Sequence, residues 1–179
     1  MAECKQAVLV EKETAHRDCL TGCYDRMTIQ HLVDLCFLKS DVRQSHAMFV
    51  IDVDNFKDYN DKYGHANGDL CLKHFAATMK KCFPKDSILG RYGGDEFVVY
   101  IKNAVSDDAH RYMDEFQREI SHLMMSGGEH VTVSASAGGV AFIGEGEDFV
   151  SLCRSADNML YDVKRNGKGT FKIKGAKNM

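Results

Sequence analysis

Apolar residues recur along this chain at two different spacings, and the switches between them mark out its elements. Leu32, Leu35, Cys36 and Phe37 share one face of a 3.6-residue repeat and predict an amphipathic helix over 25–39. Ala47-Met48-Phe49-Val50-Ile51 is apolar without interruption, as in a strand covered on both faces. A polar stretch follows and reads as a loop. Leu72, Phe75, Ala76, Met79 and Cys82 then return to helical spacing, until Phe83-Pro84 ends it. Residues 87–92 and 96–101 predict two strands joined by the tight turn Gly93-Gly94-Asp95. Ala109, Tyr112, Met113, Phe116, Ile120 and Leu123 form the next helical face, broken at Gly127-Gly128. Val131, Val133, Ala135 and Ala137 alternate with hydroxyl residues, the pattern of a strand with one polar face. Leu152, Cys153, Ala156, Met159, Leu160 and Val163 predict a final helix that stops near Gly167, with a short strand over 170–173.

The resulting order is β-α-β-β-α-β, then a helix and a closing strand. This is an α+β, ferredoxin-like βαββαβ pattern: a central antiparallel sheet with helices packed on it. In such a sheet the first and third strands are central neighbours. Residues 1–16 are charged and mixed around the apolar cluster Val8-Leu9-Val10, and read as a connector or helix remnant ahead of one domain at 17–179. A chain of 179 residues has room for one ordinary core, and its single proline, Pro84, leaves no linker-like stretch.

Composition narrows the class of protein without naming a function. Hydrophobic residues at 44% and charged residues at 27% suit a folded globular chain. The longest apolar run, 47–51, is far short of the roughly 20 residues that span a bilayer, so no membrane segment is expected. Nor does a basic and then apolar leader open the chain. The formal net charge of -3 argues against holding nucleic acid by bulk electrostatics. Cys4, Cys19, Cys23, Cys36, Cys71, Cys82 and Cys153 are odd in number and form no CxxC pair, so they read as reduced cysteines and point to a cytoplasmic location.

The chemistry concentrates in two stretches. Asp52, Asp54, Asp58 and Asp61 crowd the end of the apolar strand, ahead of Gly64-His65-Ala66-Asn67-Gly68-Asp69. A solvated acidic loop is the plain reading. Asp52, however, directly follows the buried run, where a carboxylate needs a partner, and a hard divalent cation such as Mg²⁺ is one. The second stretch is Arg91-Tyr92-Gly93-Gly94-Asp95-Glu96-Phe97. A glycine pair serves a hairpin turn and also lets a ligand approach the backbone closely. With the two strands adjacent, Asp52 and Asp95/Glu96 converge at one sheet edge. Paired carboxylates around Mg²⁺ are the arrangement of phosphoryl and nucleotidyl transfer. Lys57, Lys164 and Lys168 are then candidates to balance phosphate charge.

Residues 91–97 resemble the signature of the GGDEF family of diguanylate cyclases. Four further blocks match in order. Asp18-Cys19-Leu20-Thr21-Gly22 with Arg26 resembles the family's opening DxLTGxxNR. The stretch 52–69 resembles DxDxFKxxNDxxGHxxGD, and Ser136 to Val140 resembles the SxGV strand. Ala156-Asp157 through Tyr161, Lys164 and Gly167 resembles the closing ADxxLYxxKxxG helix.

The resemblance implies a cyclase palm fold and the condensation of two GTP into cyclic di-GMP and two pyrophosphates. It implies Mg²⁺ or Mn²⁺ bound by Asp52, Asp95 and the Val53 carbonyl, with Glu96 supporting the metal or activating the ribose 3′-hydroxyl. Asn60 and Asp69 would read the guanine edge. Lys57, Lys164, Lys168 and the amides of Asn55 and Phe56 would hold phosphates, and Gly93 and Gly94 would let the nucleotide lie against the hairpin. A homodimer would complete catalysis, under a sensor or receiver domain outside this chain. His65 has no implied role beyond a structural hydrogen bond.

Four positions depart from the pattern. Asp25 stands where the family has asparagine, and Lys168 where arginine is frequent. Pro84 and Ser87 occupy the positions of the family's Arg-x-x-Asp product-inhibition site, so that feedback does not carry over at these residues. The rival readings are a GTP-binding GGDEF-like module without catalysis, a cyclase that also accepts ATP, and a ferredoxin-like RNA binder. The retained signature acids oppose the first. The fit of a carboxylate to guanine opposes the second, and the acidic chain with no aromatic sheet pattern opposes the third.

Overall fold

The computed structural model describes residues 16–39, 44–121, 123–124, 130–143 and 148–175. The expected connector, apart from His16, and the Gly127-Gly128 break lie outside them. Five helices and seven strands are described: α1 (Arg26–Lys39), β1 (Ser45–Val53), α2 (Phe56–Tyr63), α3 (His65–Cys82), β2 (Ile88–Arg91), β3 (Glu96–Ile101), α4 (Ser106–Ile120), β4 (Leu123–Met124), β5 (His130–Val131), β6 (Ala135–Ile143), α5 (Phe149–Arg165) and β7 (Phe171–Lys174).

The main sheet has the order β2-β3-β1-β6-β7. β1 is its centre, antiparallel to both β3 and β6. The expected antiparallel sheet is therefore present, with one correction: β7 runs parallel to β6, because α5 carries the chain back across the sheet between them. Alternate residues of β1 supply two cores. Ala47, Phe49, Ile51 and Val53 pack on one face with Phe75, Met79 and Phe116 of α3 and α4. Met48 and Val50 pack on the other with Leu32 of α1 and Leu152 and Leu160 of α5. A side chain such as Phe49, with no exposed surface, contributes about 1.5–3 kcal/mol by leaving water. Gly138 makes one of these contacts sterically possible. A Cβ there would overlap the Ala156 carbonyl and the Leu160 amide and stand 2.9 Å from Leu160 Cα, so α5 lies directly on the β6 backbone.

Three expectations change in the structure. The polar stretch after β1 is the helix α2, none of whose residues is buried, so no apolar repeat marks it in the sequence. Leu123 leaves the α4 face and pairs with Val131 in the small β4–β5 sheet. The strand expected to have a polar face begins only at Ala135 and is buried on both faces as far as Phe142. Its apparent alternation came from Ser134 and Ser136, whose hydroxyls have other partners, described below. Among the described residues no helix is long and apolar enough to cross a membrane.

Candidate active site

The carboxylates meet because of strand register. Asp52 lies opposite Glu96 of β3 on one side and Ser136 of β6 on the other. The Val53 amide donates to the Asp95 carbonyl at 3.2 Å, which draws the hairpin tip alongside the end of β1. Within the tip, the Tyr92 and Gly93 amides both donate to the Glu96 carbonyl, at 2.8 and 3.2 Å. The tip is held from behind by Arg91. Its Nε and Nη2 donate to the Gly94 carbonyl at 3.1 and 2.7 Å, and its Nη1 donates to both Asp18 oxygens at 3.2 and 3.1 Å. Asp18 also accepts from the Thr21 amide and hydroxyl, at 2.9 and 2.6 Å. Burial alone would raise the Asp18 carboxyl; the bonds from Thr21 and Arg91 outweigh it and hold the group below the usual range. Arg91 and Asp18 are positioning residues that spacing alone did not assign, although both stand inside the quoted motifs.

Negative charge is concentrated in front of this tip. Asp52 is 9% exposed, and its carboxylate is paired with Lys164 Nζ at 2.8 Å. Burial pushes the Asp52 carboxyl up; Lys164 opposes this, while Asp95 and Asp54 add to it. Glu96 is pushed up by burial and then by Asp52, Asp95 and Asp157. Burial raises Asp157 too.

The donor chemistry fits a hard divalent cation. Asp52, Asp95 and the Val53 carbonyl offer oxygen only, and the surrounding acids leave a local excess of negative charge for a cation to offset. Among the described residues no group of three or more His, Cys, Asp or Glu side chains is placed to hold a metal ion. Two carboxylates and a carbonyl suit Mg²⁺ all the same, because it keeps waters and binds substrate phosphates rather than filling an all-protein cage.

The raised Glu96 carboxyl sets a sign for stability. The folded chain binds this proton more tightly than the unfolded chain, so the contribution is full below the ordinary glutamate pKa and is lost as pH rises through the raised value. In metal-free buffer Glu96→Gln should therefore be more stable than wild type at neutral pH, with the gain vanishing near about pH 4. Urea midpoints across that range check it; a variant less stable than wild type at neutral pH would contradict it.

Asp54, another of the acids that crowd the end of the apolar strand, has partners of its own. It accepts from Ser134 Oγ at 2.9 Å, Ser136 Oγ at 2.6 Å and the Gly169 amide at 3.0 Å. It therefore ties the turn after α5 to the end of β1. That turn places Lys168, with φ at 62°, so that its Nζ donates to Asn55 Oδ1 at 2.7 Å. Asn55 itself takes φ of 54° ahead of α2, beside Phe56 and the exposed Lys57. Lys164 thus reaches the acidic edge from α5, and Lys168 reaches Asn55 from the turn that follows it; the start of α5 is fixed by an Asp148–Ser151 capping box and by the Phe149 amide donating to Asp34.

Asn60 and Asp69 stand on the adjoining α2 and α3, joined through Gly64 at φ 82°. Asp69 is exposed, and Asn60 Oδ1 is buried with no hydrogen-bond partner among the described residues. His65 is exposed at the first position of α3. The structure therefore gathers Asp52, Val53, Asp95, Glu96 and Lys164 at one edge, with the turn carrying Asn55, Phe56 and Lys57 linked to it through Lys168.

Known proteins resemble this chain in sequence and in fold. A family model described as "Diguanylate cyclase, GGDEF domain" matches residues 15–170. The chain is 30% identical over 158 residues to the diguanylate cyclase DgcM of Escherichia coli K12, covering 88% of this chain and 38% of that protein. It spans less than half the length of the curated relatives it matches. Among solved structures, the GGDEF domain of TpbB (YfiN) from Pseudomonas aeruginosa superposes with a TM-score of 0.83 at 28% identity, covering 88% of this chain and 94% of that one. The GGDEF domain of DgcB from Caulobacter crescentus, solved in complex with c-di-GMP, gives 0.80 at 25% identity, covering 88% and 92%.

Proposed function

The chain belongs to the GGDEF domain family, and from that premise we propose that it is a diguanylate cyclase domain that condenses two GTP into cyclic di-GMP and two pyrophosphates. The observation that carries this reading is the convergence of Asp52, Asp95 and Glu96 at adjacent strand ends, with Lys164 drawn onto Asp52.

Asp52 and Asp95, with the Val53 carbonyl, would hold Mg²⁺ or Mn²⁺. When bound, that ion supplies charge neutralisation for the reacting phosphates and lowers the barrier to attack on the α-phosphorus. Lys57, Lys164, Lys168 and the amides of Asn55 and Phe56 bind the triphosphate. Lys164 releases Asp52 in doing so and exchanges one anionic partner for another. Asn60 and Asp69 orient the guanine. The Asp69 carboxylate accepts from the base's N1–H and exocyclic amine, which adenine cannot match. Gly93 and Gly94 let the nucleotide lie on the hairpin.

Glu96 takes the proton of the ribose 3′-hydroxyl. A carboxylate with a raised pKa is a better base than an ordinary one. The 3′-oxygen then bonds to the α-phosphorus of the second GTP, the bond to the β-phosphate oxygen breaks, and pyrophosphate leaves. The same exchange in the opposite sense closes the ring. Each subunit offers one nucleotide site, so two subunits face each other.

Incubation with GTP and Mg²⁺, followed by chromatography of the products, tests the reading. Cyclic di-GMP with two pyrophosphates per ring is expected. Bound GTP without pyrophosphate would replace it with a non-catalytic GTP-binding module.

A further inference from the structure

Gly68 is a buried residue in the first turns of α3, and its backbone needs no glycine, since it is absent from the residues with positive φ. The space in front of it supplies the reason. A Cβ built on Gly68 would overlap Asn60 Oδ1 and stand 2.9 Å from Asn60 Cγ and 3.4 Å from Nδ2. Asn60 Oδ1 therefore lies in the position that a methyl group would fill, with the rest of the carboxamide packed beside it. Seated there, Asn60 Oδ1 is buried and has no hydrogen-bond partner among the described residues. A buried acceptor without a partner costs stability, and a role in binding explains its retention. Asp69, the residue after Gly68, carries the other group proposed to read the base. The close approach at Gly68 thus sets the position of one base-reading side chain relative to the other.

We propose that Gly68 is a positioning residue for base recognition: its missing side chain seats the Asn60 carboxamide against α3 beside Asp69, and so determines the preference for a guanine nucleotide. The inference rests on the GTP reading above and goes beyond it in assigning a specificity role to a residue that offers no functional group. Alanine at 68 would leave the α3 backbone intact and favour the helix, while forcing the flexible end of Asn60 out of its seat. Folding and recognition should therefore separate.

The test uses 3′-deoxy-GTP and 3′-deoxy-ATP, which bind but cannot condense, with Gly68→Ala, Asn60→Ala and the double variant. Expected are melting temperatures at or above wild type for Gly68→Ala and a roughly tenfold or larger loss of 3′-deoxy-GTP affinity in each single variant. The 3′-deoxy-ATP affinity should be unchanged, because a loosened fold would weaken both ligands and a misplaced carboxamide only one. The double variant should bind no more weakly than either single, since with the carboxamide removed the added methyl has nothing to displace. It also keeps the test decisive if Gly68→Ala alone folds poorly, because the double variant has room for the Cβ. Wild-type binding in Gly68→Ala beside weakened binding in Asn60→Ala would overturn the role of Gly68 alone, as would losses that multiply in the double variant. Wild-type 3′-deoxy-GTP binding in Asn60→Ala would remove the base-reading assignment itself, and this proposal with it.

Discussion

Asp95→Asn is expected to lose about a thousandfold or more of the GTP-condensing rate while melting as the wild type does. The loss follows from charge: the substitution keeps the shape of the side chain and removes one of two carboxylates that would hold the divalent ion. An ion of this kind supplies several kcal/mol of transition-state stabilisation, and each 1.4 kcal/mol or so is a factor of ten in rate. Unchanged melting follows from position. Asp95 is at a hairpin tip, and the backbone bond it makes to the neighbouring β1 uses the carbonyl, which asparagine retains. Pyrophosphate release and thermal denaturation on the same preparation check both halves. A variant with most of the wild-type rate would overturn the metal assignment; one that loses rate and melts early would show that Asp95 holds the hairpin.

Dilution should have the next largest effect. If ring closure needs two facing sites, the active species is a pair, and below its dissociation constant the turnover per subunit falls in proportion to protein concentration. A tenfold dilution then costs up to about tenfold in specific activity, because the second nucleotide is delivered by the second subunit rather than by free diffusion. Initial rates across about three decades of concentration measure it. Constant turnover per subunit would mean that one chain completes the reaction, and would overturn the facing-dimer mechanism.

The interplay of Asp52, Asp54 and Lys164 shows where linear reading stops. All three are visible in the sequence, and the two aspartates look equivalent there, one residue apart on either side of Val53. In the fold they do opposite things. Asp52 meets Lys164 and the hairpin acids, whereas Asp54 is saturated by two serine hydroxyls and the Gly169 amide. Alternation along a strand sends side chains to a face, but neither their partners nor the remaining lone pairs are local properties. The Arg91–Asp18 bridge has the same character, joining segments distant in sequence.

Through apolar spacing and turn residues a few positions apart, the sequence carries the order of the five main-sheet strands and the four longer helices, the central strand, the α+β class and the two acidic stretches. It did not reveal α2, whose helix buries none of its residues, nor the parallel seating of β7, which depends on where α5 returns the chain. Contacts between distant elements set the rest: Asp54 is bound away from the acids it resembles, Lys164 is the lysine that meets Asp52, and Asn60 leaves no room for a side chain at position 68. Those are consequences of register and of close approach between elements, and no spacing along one chain encodes a distance across two.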